Sequence, residues 1–156
     1  MSTDLDAIDL KILNLMQANA RISNSDLAKE VEMAPSAVLE RVKKLEQKKV
    51  IMQYTTSINP VAVQKKLLAF IFIKSTEGFA SSATTADALA KIPEIQEVHH
   101  IAGEDCFIVK VRTEDSASLM DLMRNSLKKI PGILSTKTTI VLETVKEQQQ
   151  LVIPEK

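Results

Sequence analysis

The stretch from Ser23 to Ile51 constrains this chain more than any other part of it. Ser23-Asn24-Ser25-Asp26 places a hydroxyl three residues before a carboxylate, the pairing that starts a helix. Leu27, Ala28 and Val31 follow at helical spacing, Met33-Ala34 breaks the run, and Pro35 suits the first turn of a new helix, where its missing N–H costs nothing. On that second helix Val38, Val42 and Leu45 form one stripe. Ser36, Ala37, Glu40, Lys43, Lys44 and Gln47 fall on the other side. Two short helices, a tight turn and a polar, basic outer face on the second are the helix-turn-helix pattern, whose second helix enters the major groove of DNA.

Charge agrees at the local scale. The whole chain balances 20 basic residues against 20 acidic ones, so its total says nothing about nucleic acid. Met1 to Pro35 carries three Lys/Arg against six acids, net −3, while Ser36 to Val50 carries five against two, net +3. The positive field is confined to the helix that would lie in the groove. A patch this modest binds weakly alone, so useful affinity calls for two or more copies.

At 156 residues the chain holds one medium domain or two small ones. No apolar run approaches the ~20 residues that cross a bilayer. Met1-Ser2-Thr3-Asp4 has neither a basic start nor an apolar core, so the expectation is a cytoplasmic protein with no membrane partner. The single cysteine, Cys106, excludes an internal disulfide and makes no zinc site of the usual spacing, and no cofactor is expected.

Thr3-Asp4-Leu5-Asp6 reads as another helix cap, with Leu5, Ile8, Ile12 and Met16 continuing a first helix that ends before Ala20-Arg21. Three helices to about Lys49 then pack around Ile8, Ile12, Leu27, Val31, Val38, Val42 and Leu45. Ile51 to Ile58 is β-prone but alternates poorly and stops at Asn59-Pro60; it reads as one arm of a short wing or as a linker strand. Beyond it Leu67 to Ile73 is a dense apolar run of the kind that makes a buried strand. Ala80 to Lys91 reads as a helix, Glu97–Ala102 and Cys106–Arg112 as strands joined by Gly103-Glu104-Asp105, Ser116 to Lys129 as an amphipathic helix, and Ile133 to Leu142 as a last strand. Lys91-Ile92-Pro93-Glu94-Ile95 returns 38 residues later as Lys129-Ile130-Pro131-Gly132-Ile133, each copy closing a helix and launching a strand. The fold class is therefore α+β: an N-terminal winged helix-turn-helix domain over 1–58 and a C-terminal ferredoxin-like βαββαβ domain over 59–156. The tail from Glu143, through Gln148-Gln149-Gln150 to Leu151-Val152-Ile153, packs on a neighbouring subunit or frays.

This order, with Leu5-Asp6-x-x-Asp9-x-x-Ile12-Leu13, Asn19-Ala20-Arg21, Pro35-Ser36 leading into Leu39-Glu40-Arg41-Val42-Lys43-Lys44-Leu45-Glu46, and Pro131-Gly132-Ile133 with Thr138-x-Ile140-Val141-Leu142, resembles the Lrp/AsnC (leucine-responsive/asparagine, feast-or-famine) family of transcription regulators. The resemblance covers roughly Leu5 to Leu142 and implies double-stranded DNA, a small amino-acid effector and further copies of the chain as partners. It implies a homo-oligomer of dimers, up to a tetramer of dimers, with effector bound beside the Gly103-Glu104-Asp105 turn at the contact between dimers and with Thr136 and Thr138 supplying hydroxyls. The dimer is expected to form face to face through Phe70, Phe72, Ile108 and neighbours. Family members usually cap the recognition helix with a serine where Ala34 stands here, so an uncapped, frayed first turn is expected, at a cost of ~1 kcal/mol.

Within the motif, Ser36 and Ala37 are the residues expected at base edges, since recognition helices enter N-terminal end first. Arg41, Lys43 and Lys44 are assigned to phosphates, which position without reading sequence. Glu40 either accepts from a cytosine amino group or pairs with Lys44 at i, i+4, the simpler use. An enzyme is the competing class. Some proteins resembling this family decarboxylate tetrapyrrole side chains on the same two-domain plan, with His99, His100 and Arg112 the residues to suspect. Adjacent histidines on a strand point to opposite faces, and a basic recognition helix has no use in such an enzyme. The expectation is a regulator and not an enzyme, with Cys106 an ordinary strand residue.

Overall fold

The computed structural model describes residues 4–76, 83–104 and 106–154. They form two compact units, one made of 4–57 with 146–154, the other of 58–145.

In the first unit α1 (Ala7–Ala18), α2 (Asn24–Glu30) and α3 (Pro35–Gln47) enclose a core of Ile12, Leu27, Ala28, Val31, Val38, Val42 and Leu45, flanked by the half-buried Leu5, Ile8 and Met16. The cap of α1 is Asp6. Its carboxylate accepts the Asp9 N–H at 2.8 Å while the Asp9 carboxylate accepts the Asp6 N–H at 3.3 Å, closing a capping box. Ser23 caps α2, its Oγ accepting the Asp26 N–H at 3.0 Å. The turn into α3 uses Glu32 at φ 54°, a left-handed residue, and the Met33 N–H reaches the Ala28 carbonyl at 2.9 Å. Ala34 gives α3 no side-chain cap, yet the helix is regular from Pro35, with the Ala37 and Val38 amides both donating to the Ala34 carbonyl. The first turn forms without a cap because proline fixes φ at N1 and carries no N–H to satisfy.

Residues 51–58, expected as a wing arm or linker strand, pair with no strand among the described residues. The Ile51 amide instead donates to the Leu45 carbonyl at 3.2 Å, and the Tyr54 hydroxyl donates to Glu46 Oε1 at 2.7 Å, holding the segment against α3. The two-fold alternation a half-buried strand needs is missing here, and 52–59 is exposed throughout.

The second unit is a four-stranded antiparallel sheet in the order β2-β3-β1-β4, with β1 Leu67–Ser75, β2 Ile95–His100, β3 Phe107–Thr113 and β4 Ile133–Ile140. Helices α4 (Ala83–Ala90) and α5 (Ser116–Asn125) supply the two crossovers, which is the ferredoxin-like βαββαβ arrangement. Ala69, Ile71, Ile73, Phe107, Val109 and Val111 form the helix-covered face, packed with Leu89, Leu119, Leu122 and Leu127. The alternate residues Phe70, Phe72, Ile108, Lys110 and Arg112 occupy the other face and are half-buried. α5 is shorter than its apolar stripe suggested: it ends at Asn125 and a 3-10 turn, Leu127–Lys129, finishes the connection. Pro131 forces Ile130 into the extended region, at ψ 119°, and the chain cannot stay helical up to it.

The second domain is expected over 59–156. The chain instead returns at 146 to the first unit, where Gln17 exchanges hydrogen bonds with Leu151. These are polar contacts between residues 134 apart, and no local pattern announces them.

Candidate functional site

The outer face of α3 carries Ser36, Glu40, Lys43 and Lys44, all exposed, with Ala37 half-buried beside them. Their placement follows from the opposite stripe: Val38, Val42 and Leu45 are buried, so the intervening positions point outward. Glu40 pairs with Lys43 at 3.6 Å, not with Lys44 as the i, i+4 spacing suggested. Both partners are more than half exposed, so this i, i+3 pair is weak and exchangeable. Lys44 makes no ion pair among the described residues.

Arg41 stands apart from its neighbours. Its Nη1 donates to Asp6 Oδ2 at 2.7 Å and to Asp9 Oδ1 at 2.8 Å, both at the N-terminus of α1. The two carboxylates hold the guanidinium pKa above its ordinary value, Asp6 foremost. The Asp6 carboxyl is held below its ordinary value, first by the Asp9 N–H of the capping box and then by Arg41. One arginine therefore joins the recognition helix to the cap of α1. Sequence placed this residue on the basic face; its acidic partners, 32 and 35 residues away, gave no local signal. Tyr54 was also missed. Its pKa is pushed up to about 12, by desolvation first and by the Glu46 hydrogen bond second.

The residues expected around an effector lie on different strands and connections of one sheet. Thr136 and Thr138 pair with Ile73 and Ile71 on β4, an edge strand, and Thr138 Oγ1 approaches Met123 Sδ at 3.4 Å. Gly103 and Glu104 lie in the connection between β2 and β3, with β1 standing between β3 and β4. Glu104 is exposed, and the space around Gly103 is open, with nothing within 4 Å of a Cβ placed there. Asp105 lies outside the described residues. On β2, His99 Nε2 contacts Glu97 Oε2 at 3.2 Å, and the same carboxylate accepts from Lys110 at 3.1 Å. His100, on the other face, stacks on Phe107 at 4.8 Å between ring centroids. The two histidines are thus held in separate surroundings, on opposite faces of one strand. Cys106 is half-buried, its Sγ 3.7 Å from the Ser75 carbonyl oxygen. Among the described residues no cluster of His, Cys, Asp and Glu is placed to hold a metal ion, and no helix is long and apolar enough to cross a membrane.

Residues 68–151 match the Lrp/AsnC ligand binding domain, and residues 5–46 match the AsnC-type helix-turn-helix domain. The chain belongs to the Lrp/AsnC family. It is 39% identical over 150 residues to the leucine-responsive regulatory protein of Haemophilus influenzae, covering 96% of this chain and 90% of that one. Its fold matches a Neisseria meningitidis transcriptional regulator complexed with L-Met, with TM-score 0.87, 27% identity, and coverage of 95% and 96% of the two chains. It also matches a feast or famine regulatory protein from M. tuberculosis complexed with L-methionine, with TM-score 0.88, 30% identity, and coverage of 97% and 100%. This Lrp/AsnC protein is a DNA-binding transcription regulator: its first unit carries the helix-turn-helix and its second the ligand-binding domain.

Proposed function

We propose that this regulator docks the outer face of α3 in the major groove of duplex DNA, with Ser36 and Ala37 towards base edges and Lys43 and Lys44 on phosphates. The observation that carries the reading is the exposed, basic outer face of a helix whose inner stripe is fully engaged in the core. Glu40 restrains Lys43 until phosphate competes for it. Arg41 enters as a positioning residue: held by Asp6 and Asp9, it sets α3 against α1 and leaves phosphate contact to the lysines.

The effector is a free small amino acid, and copies of the chain are needed to bind it. Two regulators similar to this chain are complexed with L-methionine, which supports the chemical class. In the proposed site Glu104 and Asp105 attract the ammonium, while turn N–H groups and the Thr136 and Thr138 hydroxyls of another chain take the carboxylate. The strands that separate these residues within one protomer support a site shared between protomers. The helix-free face bearing Phe70, Phe72 and Ile108 is the surface on which copies pair, and dimers associate further, up to a tetramer of dimers. The protein acts in the cytoplasm, and its role is regulatory, not enzymatic.

A thermal-shift panel of the twenty amino acids identifies the effector, because a ligand selective for the folded state raises its midpoint. Calorimetric titration of that amino acid into wild type, Asp105→Ala and Thr138→Val then tests the site. The expected result is weaker binding in both variants, by ~1.5–3 kcal/mol for the lost charge-assisted bond. Wild-type affinity in both would place the site elsewhere.

A further inference from the structure

The C-terminal tail meets the DNA-binding unit at Gln17. Gln17, in the last turn of α1, accepts the Leu151 N–H on its Oε1 at 2.8 Å and donates from Nε2 to the Leu151 carbonyl at 3.1 Å. Both backbone groups of residue 151 are therefore paired by one amide, as a neighbouring strand would pair them. A third bond runs the other way: Gln150 Nε2 donates to the Gln17 backbone carbonyl at 2.9 Å. That carbonyl belongs to the last turn of α1, whose C=O groups have no partner within the helix, so Gln150 satisfies an orphan acceptor.

Apolar burial adds little to these three bonds: Leu151 is 75% exposed and Val152 fully so, and Ile153 alone of the three is half-buried. A segment held by hydrogen bonds at a wet surface opens and closes readily, since water replaces each bond at little net cost. The attachment has the character of a latch, not of a packed element.

Its position in the chain gives the latch consequence. The tail continues directly from β4, the strand that carries Thr136 and Thr138, and it ends on α1, whose opposite end holds the recognition helix through Asp6, Asp9 and Arg41. We propose that Gln17 is a reversible latch for the C-terminal tail, giving the second unit a second connection to the DNA-binding unit besides residues 51–58. With the latch closed the DNA-binding unit is tied at two points; released, it hangs on one. A closed latch cuts the orientational freedom lost on binding DNA, as pre-organisation does generally. This last step rests on the reading of the first unit as the part that binds DNA.

The test uses the full chain. Hydrogen–deuterium exchange of the peptide spanning 148–154 is compared in wild type, Gln17→Leu, which removes donor and acceptor, and Gln17→Glu, which keeps the acceptor alone. Gln17→Leu is expected to accelerate exchange about tenfold or more, with Gln17→Glu between and with α2 and α3 unchanged. Exchange already at the rate of an unstructured peptide in wild type, or unaltered by Gln17→Leu, overturns the latch. Affinity for a random-sequence duplex is measured alongside. Gln17→Leu is expected to bind about threefold more weakly with the same salt dependence. Wild-type affinity despite lost protection overturns the coupling of tail to DNA binding. A wild-type chain that binds no duplex overturns the DNA-binding reading itself, while the exchange result still judges the clasp.

Discussion

Arg41 on α3 and Asp9 on α1 meet at 2.8 Å, with side chains only 27% and 15% exposed. This pair, extended to Asp6, ties α3 to the N-terminus of α1. Truncating Arg41 strands two carboxylates beside a cap they already serve. Arg41→Ala is expected to destabilise the first unit by about 1–2 kcal/mol, between the values for exposed and for buried pairs. Urea unfolding checks it. Arg41→Lys is expected to recover part of the loss: both bonds leave from the single Nη1, and the shorter lysine stem must bring its ammonium to that one point.

Acid provides a second handle on the same contact. The Asp6 pKa is depressed in the folded chain, so its contribution to stability is present above the unfolded value of about 3.9 and disappears as pH falls through the lower folded value. Thermal melts between pH 6 and 2.5 should therefore show a falling limb that begins below about pH 4. Arg41→Ala should make that limb shallower, and an unchanged limb would mean that Arg41 does not lower the Asp6 pKa.

Lysine and arginine on α3 separate in their salt response. In duplex titrations at several salt concentrations, Lys43→Ala and Lys44→Ala are each expected to reduce the slope of log affinity against log salt by about 0.9. Arg41→Ala is expected to lower affinity with the slope intact. Loss of slope in Arg41→Ala would reassign that residue to phosphate.

Gly132 occupies φ +90°, and a Cβ there would lie 3.2 Å from Thr76 Oγ1, while its carbonyl accepts the Thr76 N–H at 2.7 Å. Gly132→Ala combines a left-handed backbone penalty with this close approach and is expected to cost about 1–3 kcal/mol in the second unit. Chemical denaturation of the two proteins tests it.

The features legible in sequence were those written in local spacing. Ser23 and Pro35 marked helix starts, the run Leu67 to Ile73 marked the central strand, and the Lys-Ile-Pro repeat marked both crossovers, because caps, periodicity and proline act over a few residues. Arg41 shows the limit. Its charge was legible and its destination was not, since acids 32 and 35 residues away are brought to it only by helix packing. Tyr54 with Glu46 and Gln17 with Leu151 were missed for the same reason. Residues 51–58, expected as a wing arm or a linker strand, are β-prone but do not alternate, and they pair with no strand among the described residues.

The central claim is that an amino acid bound in the second unit alters DNA binding by the first. It is tested most directly by fluorescence-anisotropy titration of a labelled target duplex with the full chain, at fixed salt, with and without the amino acid that gives the largest thermal shift. The account predicts a change in Kd of about fivefold or more, the usual scale of coupling between distinct sites. The same Kd with and without a saturating amino acid that demonstrably binds would contradict it.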